Sequence, residues 1–169
     1  MEKSRYAVVD VETTGLDPKV ERVVEIAVVL VDEQWVVDSW SSLVNPEMPI
    51  PARASQIHGI YDEDVAQAPT MEALEAEILA RCDGRIVAAH NARFDLSFLP
   101  FLASHDSLCT MQLARRAFPR APNHQNQTLR KYLRLDRDPH IAKLDAHRAL
   151  ADAMVSAHIL IQALQKTVA

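Results

Sequence analysis

The sequence predicts an α/β fold in which a mixed five-stranded sheet is flanked by helices. Three apolar, β-branched segments follow one another within the first 44 residues, and only a short turn separates the second from the third. Such a succession is typical of strands that meander through one sheet. Helical patterns then alternate with two short apolar runs, and a long helical pattern ends the chain. This alternation is typical of α/β proteins.

The first three strands are predicted from their apolar runs. Residues 6–12 have the pattern of a buried strand, and the segment Thr-Thr-Gly after it indicates a turn. Residues 22–31 are almost continuously apolar and β-branched, which is typical of a strand buried on both faces. A short turn at Asp32-Glu33 leads into residues 34–44, which we expect to form the next, antiparallel strand.

The later elements are predicted from caps, prolines and apolar periodicity. Three prolines precede a short helix that should end near Gly59, where a glycine suits the C-cap. Thr70 should cap a helix that continues to Cys82. Asp145 should cap the last helix. The other predicted elements are strands at residues 86–90 and 108–110 and helices at residues 92–101, 111–118, 127–134 and 146–166, the first of them shortened by Pro100.

Length and composition fit a globular chain of one domain, residues 1–169. No apolar run approaches the roughly 20 residues that span a bilayer. The N-terminus becomes polar and acidic too early for a signal peptide. Cys82 and Cys109 have no partner spacing and fit buried thiols better than a disulfide or a zinc site. We therefore expect a cytoplasmic protein with no membrane partner.

The net charge of −5 hides an uneven distribution. Residues 110–148 contain nine Lys or Arg and three Asp or Glu, whereas the remainder contains nine and twenty. A basic face beside an acidic pocket would suit a protein that holds the end of a nucleic-acid strand. Arginine-rich helix surfaces also serve solubility alone, so charge leaves both interpretations open.

Four acidic residues and one histidine stand out in three short segments. They are Asp10 and Glu12 in YAVVDVETTGL, Asp95 in HNARFD, and His147 and Asp152 in AHRALAD. Asp10 and Glu12 are two residues apart on a predicted strand and should point to the same face. Carboxylates so close repel each other, and the pair therefore suits a chain that binds Mg²⁺ or Mn²⁺. Two such ions about 4 Å apart commonly assist in-line phosphoryl displacement.

These segments, in this order, resemble the signature of the DEDD superfamily of 3′→5′ exonucleases. A histidine five residues before the last aspartate marks the DEDDh branch, where the other branch has tyrosine. Similarity continues in SLVNPEMPI, QIHGI, LCTMQLARRAFP and LDAHRALADA. It is greatest to exodeoxyribonuclease X and to the proofreading exonuclease subunit of bacterial DNA polymerase III, and it covers about residues 5–162. The resemblance implies a ribonuclease H-like fold and a metal-dependent enzyme that releases nucleoside 5′-monophosphates.

The resemblance also implies a role for each member of the acidic set. Asp10 should bridge two Mg²⁺ or Mn²⁺ ions, while Glu12 and Asp152 should hold the ion that activates water. Asp95 should lie nearer the second ion. His147 should act as general base, since a neutral imidazole can accept the proton of the attacking water. With a helix starting after Asp145, His147 would lie about 140° around the helix from Asp152 and flank the metal.

Further residues resemble family positions that contact the terminal nucleotide. In relatives, the loop that corresponds to Thr13, Thr14 and Leu16 places backbone amides near the ribose and the leucine against the base. An ordinary turn would use the same residues. His58 in QIHGI and Asn91, just before the predicted helix of Asp95, complete the expected substrate contacts.

The nature of the polymer is left more open. DNA 3′ ends are favoured because the similarity to exodeoxyribonuclease X extends into LCTMQLARRAFP, which would place the chain in DNA replication or repair. An RNA-trimming enzyme such as RNase T or oligoribonuclease would keep the same metal ligands.

A stand-alone proofreading subunit usually carries a C-terminal extension, whereas this chain stops at QKTVA, so polymerase tethering is not expected. A noncatalytic module that binds nucleic-acid ends should lack an acid or the histidine, and all are present. The sequence makes no prediction of oligomeric state.

Overall fold

The computed structural model describes residues 4–168, and within them five strands form a mixed sheet. The strands are β1 (Arg5–Thr13), β2 (Val23–Asp32), β3 (Trp35–Leu43), β4 (Ile86–Ala89) and β5 (Ser107–Cys109). They are arranged in the order β3-β2-β1-β4-β5. The first three strands pair antiparallel, whereas β4 pairs parallel with both β1 and β5. The predicted fold class is confirmed.

Helices cover both faces of this sheet. They are α1 (Ala52–His58), α2 (Asp62–Val65), α3 (Met71–Cys82), α4 (Ala92–Ser97), α5 (Thr110–Ala117), α6 (Asn126–Tyr132), α7 (Pro139–Ala142) and α8 (Ala149–Val168). Short 3₁₀ turns lie at Pro100–Leu102 and Leu135–Arg137. No helix in the described part of the chain is long and apolar enough to cross a membrane. Cys82 is buried, Cys109 is half-buried, and both are free thiols.

The side chains of β1 alternate between two hydrophobic layers. Val9 and Val11 pack in the layer with α3 and α4, whereas Tyr6 and Val8 pack in the layer with α8. Because residues of a strand alternate with a period of two, even-numbered positions of β1 continue on the α8 side. Asp10 and Glu12 therefore belong to the face of the sheet that α8 covers.

Helix α8 lies close to the sheet because small residues form its inner face. Ala149, Ala153 and Ala157 recur at every fourth position and are fully buried against β1 and β2. Positions four apart share one face of a helix, so this face presents little more than methyl groups to the strands. Asp152 lies between the first two alanines and is thereby brought to the edge of the same face.

The predicted boundaries hold for the strands and for α3, where Thr70 Oγ1 accepts the Ala73 N–H at 3.3 Å. Gly59 is the C-cap of α1 with φ of 71°, as predicted. The predicted start of the last helix is wrong. Helix α8 begins at Ala149 rather than near residue 146, and Asp145 does not cap it. The 92–101 prediction was too long, because α4 ends at Ser97 and Pro100 opens a separate 3₁₀ turn.

Candidate active site

Three carboxylates from distant parts of the sequence meet at the end of β1. One carboxylate oxygen each from Asp10, Glu12 and Asp152 lies within 4.8 Å of the others. Asp10 is buried, and the other two are half-buried. The period of the strand places the first two side by side, and the first turn of α8 brings the third to them. The structure therefore brings together three of the four predicted acids as one cluster.

The fourth acid, Asp95, lies beside this cluster rather than in it. Its side chain in α4 is only 3% exposed. One carboxylate oxygen accepts the backbone N–H of Val11 at 3.2 Å, and Val11 lies between the first two acids. The charge of Asp95 reaches the cluster, because it contributes to raising the pKa of Asp10.

Burial and mutual repulsion make this concentration of charge unfavourable. Burial, followed by the charges of Asp95 and Asp152, raises the pKa of Asp10 well above its usual range. Burial and then the charge of Asp152 raise the pKa of Glu12 to about 9. Burial raises the pKa of Asp95 to about 7. A divalent cation prefers oxygen ligands and would remove the repulsion, so the carboxylates fit such an ion.

His147 lies just before α8, in a turn, and not inside the helix as predicted. Its side chain is exposed and its φ is +61°. A left-handed backbone at a residue with a side chain costs roughly 1–3 kcal/mol and persists only where the surroundings enforce it. Burial raises the pKa of Asp152, whereas the charge of His147 and a hydrogen bond from the His147 backbone oppose this rise. His147 is thus close to Asp152, although the predicted helical angle between them does not apply.

The hydroxyls of Thr13, at the end of β1, and Thr14, in the loop after it, form hydrogen bonds within this loop. Thr13 Oγ1 donates to the Gly15 carbonyl at 2.6 Å. Thr14 is buried, donates its hydroxyl to the Glu21 carboxylate and accepts the Arg22 N–H at 2.9 Å. Leu16, by contrast, is 81% exposed. The loop is therefore rigidly tied, and its apolar tip faces solvent.

The two remaining predicted substrate contacts differ in exposure. His58 is buried, and its Nδ1 accepts the Ile60 N–H at 3.1 Å. Its Nε2 is buried near the Thr13 backbone without a well-formed hydrogen bond to any described residue. Burial lowers the pKa of His58. Asn91 is exposed and has a left-handed backbone with φ of 67° at the start of α4.

Gln127 and Glu25 contact the site and were missed from the sequence. Gln127 Nε2 donates to Asp152 Oδ1 at 2.7 Å. Glu25 is 5% exposed on β2 and binds the start of α8. Nothing in the spacing of α6 signals the Gln127 contact. Glu25 did carry a signal, because a charged residue inside an apolar strand is almost never buried unless it is paired.

Comparison with known proteins determines the family. The sequence model of the exonuclease family that includes RNase T matches residues 7–160. The chain belongs to this exonuclease family. The resemblance predicted from the three acidic segments is confirmed, and the family together with the acidic cluster implies a divalent metal ion.

Individual relatives agree with this assignment. The chain is 33% identical to the 3′-5′ exonuclease DinG of Bacillus subtilis, over 98% of this chain and 18% of that protein. It is 30% identical to a PolC-type DNA polymerase III of Caldanaerobacter subterraneus subsp. tengcongensis, over 97% of this chain and 12% of that protein. It thus spans less than a fifth of the length of these two relatives. The solved structure of exonuclease X in complex with 5′ overhanging duplex DNA matches with a TM-score of 0.81 and 34% identity, over 97% of this chain and 93% of that one.

Proposed function

We propose that this chain is a 3′→5′ exonuclease that hydrolyses the terminal phosphodiester of DNA, in single strands or frayed ends, and releases nucleoside 5′-monophosphates. The observation that carries the proposal is the convergence of Asp10, Glu12 and Asp152, with Asp95 beside them, in a chain of an exonuclease family. Residues 1–169 would act as one exonuclease domain on a nucleic-acid 3′ end.

The carboxylates would hold two Mg²⁺ or Mn²⁺ ions. Asp10, Glu12 and Asp152 offer oxygens close enough to share an ion, and Asp95, whose charge reaches Asp10, would help to hold a second one. Bound divalent ions supply positive charge that acidifies water and stabilises the charge developing on a phosphate. The raised pKa values of the carboxyls explain why the residues need such a partner to ionise together.

His147 is the proposed general base. Its imidazole is exposed on a turn next to Asp152, so it can accept the proton of the attacking water and return it to solvent. The oxygen of that water would then form the new bond to phosphorus while the bond to the 3′ oxygen of the penultimate nucleotide breaks. The departing 3′ oxygen would take a proton from solvent and become a hydroxyl. Among the described residues, the group close enough to share an ion consists of Asp10, Glu12 and Asp152 and does not include His147.

The loop after β1 would recognise the terminal nucleotide. Leu16 offers an exposed apolar side chain for a base. Thr13 and Thr14 have their hydroxyls bonded within the loop, and the Thr14 N–H donates to the Arg22 carbonyl at 2.8 Å, so these two residues would shape the wall of the pocket. His58 and Asn91 would complete this pocket. The relatives named above favour DNA, since one is a DNA polymerase and another is bound to DNA. An exoribonuclease is the second candidate, because RNase T belongs to the matching family.

Labelled oligonucleotides test the proposal. A single-stranded DNA labelled at its 5′ end should shorten as a ladder, and a circular single strand should stay intact because it offers no 3′ end. An RNA of matched sequence should be degraded more slowly. Cleavage of the circle would instead identify an endonuclease, and faster degradation of the RNA would favour the second candidate.

A further inference from the structure

Glu25 lies behind the acidic cluster on the neighbouring strand. It pairs with Glu12 across the antiparallel register of β1 and β2, and its side chain is 7% exposed. It lies on the α8 side of the sheet, because Ala27 and Val29 of the same alternation pack against that helix. Like charges directly opposite each other destabilise a strand pair. A buried Glu25 therefore requires partners.

Within the described residues, the hydrogen-bond partners of Glu25 come from the start of α8. Arg148 Nη2 donates to Glu25 Oε1 at 2.7 Å, and Arg148 Nε donates to Oε2 at 3.0 Å. The Ala149 N–H donates to Oε2 at 2.9 Å. Both oxygens of one carboxylate are thus bonded to two successive residues that lie more than 120 positions further along the chain. A bidentate arginine fixes both distance and orientation.

This arrangement supplies the N-terminal cap that the sequence around α8 lacks. The first N–H groups of a helix need acceptors, and arginine has only donors to offer. Glu25 accepts the N–H of Ala149, the first residue of this 20-residue helix, and brings a negative charge to its N-terminus. Glu25 thus supplies an acceptor for the first residue of α8. Asp152 follows within the first turn, with its N–H donated to the Arg148 carbonyl at 3.0 Å.

The same contacts anchor the turn that carries His147. This residue has a left-handed backbone and directly precedes Arg148. A side chain in that conformation stays there only where neighbouring contacts enforce it. The bidentate bond of Arg148 and the amide bond of Ala149 provide such contacts on the C-terminal side of the turn.

We propose that Glu25 and Arg148 are positioning residues, which hold His147 and Asp152 in the relative arrangement that hydrolysis requires. The proposal rests on the exonuclease function proposed above. Neither residue needs to touch the substrate. Their ion pair fixes one end of α8 against β2, and both the proposed base and the last carboxylate move with that end.

Two substitutions separate positioning from charge. Glu25→Gln removes negative charge near the metal ligands, whereas Arg148→Met removes positive charge, and both break the ion pair. If the pair acted only through its charge, binding of Mn²⁺ alone, measured by calorimetry, would weaken in the first variant and strengthen in the second. Positioning predicts that neither variant binds Mn²⁺ more tightly than the wild type. It also predicts that kcat falls in both by about 10- to 100-fold, the scale of a small misplacement, with a much smaller change in KM.

Asp32→Asn is the matched control, because Asp32 also pairs with a buried arginine, Arg85, but at the other end of β2. It should lower Tm and leave kcat unchanged at a temperature well below Tm.

Three results would overturn the proposal: tighter Mn²⁺ binding by Arg148→Met, wild-type kcat in either variant, or an equal loss of kcat in Asp32→Asn. If Glu25→Gln does not fold, the test relies on Arg148→Met. The Arg148 side chain is 42% exposed, so its replacement should not prevent folding. A wild-type protein without 3′→5′ activity would instead overturn the proposed function.

Discussion

The carboxylate of Asp95 accepts the backbone N–H of Val11 at 3.2 Å and so takes the place of a missing strand. The parallel pairing of β1 with β4 ends at Val8, and beyond it no strand in residues 4–168 pairs with that edge of β1. A buried N–H without an acceptor would be costly, and Asp95 removes that cost. The same bond draws the helix of the second acidic segment against the first. The Asp95 side chain thus satisfies a backbone N–H of the sheet and also contributes a carboxylate beside the acidic cluster.

This dual role predicts different effects for two substitutions of Asp95. Asp95→Asn keeps an oxygen that can accept the Val11 N–H but loses the charge. It should fold with nearly unchanged stability and lose most hydrolytic activity. Asp95→Leu also leaves the N–H unsatisfied and should destabilise the fold by about 1–3 kcal/mol. Urea unfolding and hydrolysis of a labelled oligonucleotide measure the two effects. Full activity of Asp95→Asn would show that its charge has no part in the reaction.

The raised carboxyl pKa values predict how stability without metal depends on pH. The pKa of Glu12 rises from 4.5 to about 9 on folding, and that of Asp95 rises from 3.8 to about 7. At a pH between the unfolded and the folded pKa of either group, the folded state holds a proton that the unfolded state releases. The contribution of Glu12 is therefore fully present below about pH 4.5 and is lost as the pH rises towards about 9.

Unfolding in EDTA across this range measures the dependence, and Glu12→Gln isolates it from the histidines, which also titrate. The stability of the wild type, relative to Glu12→Gln, should fall as the pH increases. Added Mg²⁺ or Mn²⁺ should stabilise the wild type most at the alkaline end, because the ion competes with fewer protons there. A constant difference between the two proteins would mean that Glu12 is ionised in the metal-free fold.

The backbone at His147 suggests the substitution that best tests its role. Asparagine tolerates a left-handed conformation well, so His147→Asn should preserve the turn while removing the base. We expect kcat to fall by roughly 10²- to 10⁴-fold, the usual contribution of a positioned acid or base. Mn²⁺ affinity should change little, and His147→Ala should lose a similar amount of kcat. Near-native kcat with weakened Mn²⁺ binding would make His147 a metal ligand instead.

Gln127 should orient the carboxylate of Asp152. Its amide donates to Asp152 Oδ1 at 2.7 Å, so Gln127→Leu removes a bond that fixes one metal ligand. Losing such a supporting bond typically costs about 10- to 100-fold in metal affinity or activity. Calorimetry with Mn²⁺ and steady-state kinetics should both show the loss. Gln165→Leu, which removes an exposed amide bond to Gln34, should leave both measurements unchanged.

Local patterns were sufficient to predict the strands and the pairing of Asp10 with Glu12, whereas the approach of Asp152 was implied only by the family resemblance. The period of β1 placed Asp10 and Glu12 on one face, and the apolar run of β2 indicated burial. The start of α8 could not be read locally, because its cap acceptor is Glu25, a residue of another strand. The left-handed backbone of His147 lies two residues before this contact and shows no local signal either. Four-residue helices such as α2 and α7 also escaped prediction, because they are too short to show a helical period.

The most direct test of the account asks whether hydrolysis from the 3′ end depends on a cation held by Asp10. A single-stranded DNA labelled at its 5′ end is incubated with the wild type and with Asp10→Asn, first in excess EDTA and then in excess Mg²⁺ or Mn²⁺. We expect no shortening in EDTA, a ladder and nucleoside 5′-monophosphates after the metal is restored to the wild type, and no ladder from a folded Asp10→Asn protein. Continued degradation by the wild type in excess chelator, or a wild-type rate for Asp10→Asn, would contradict the account.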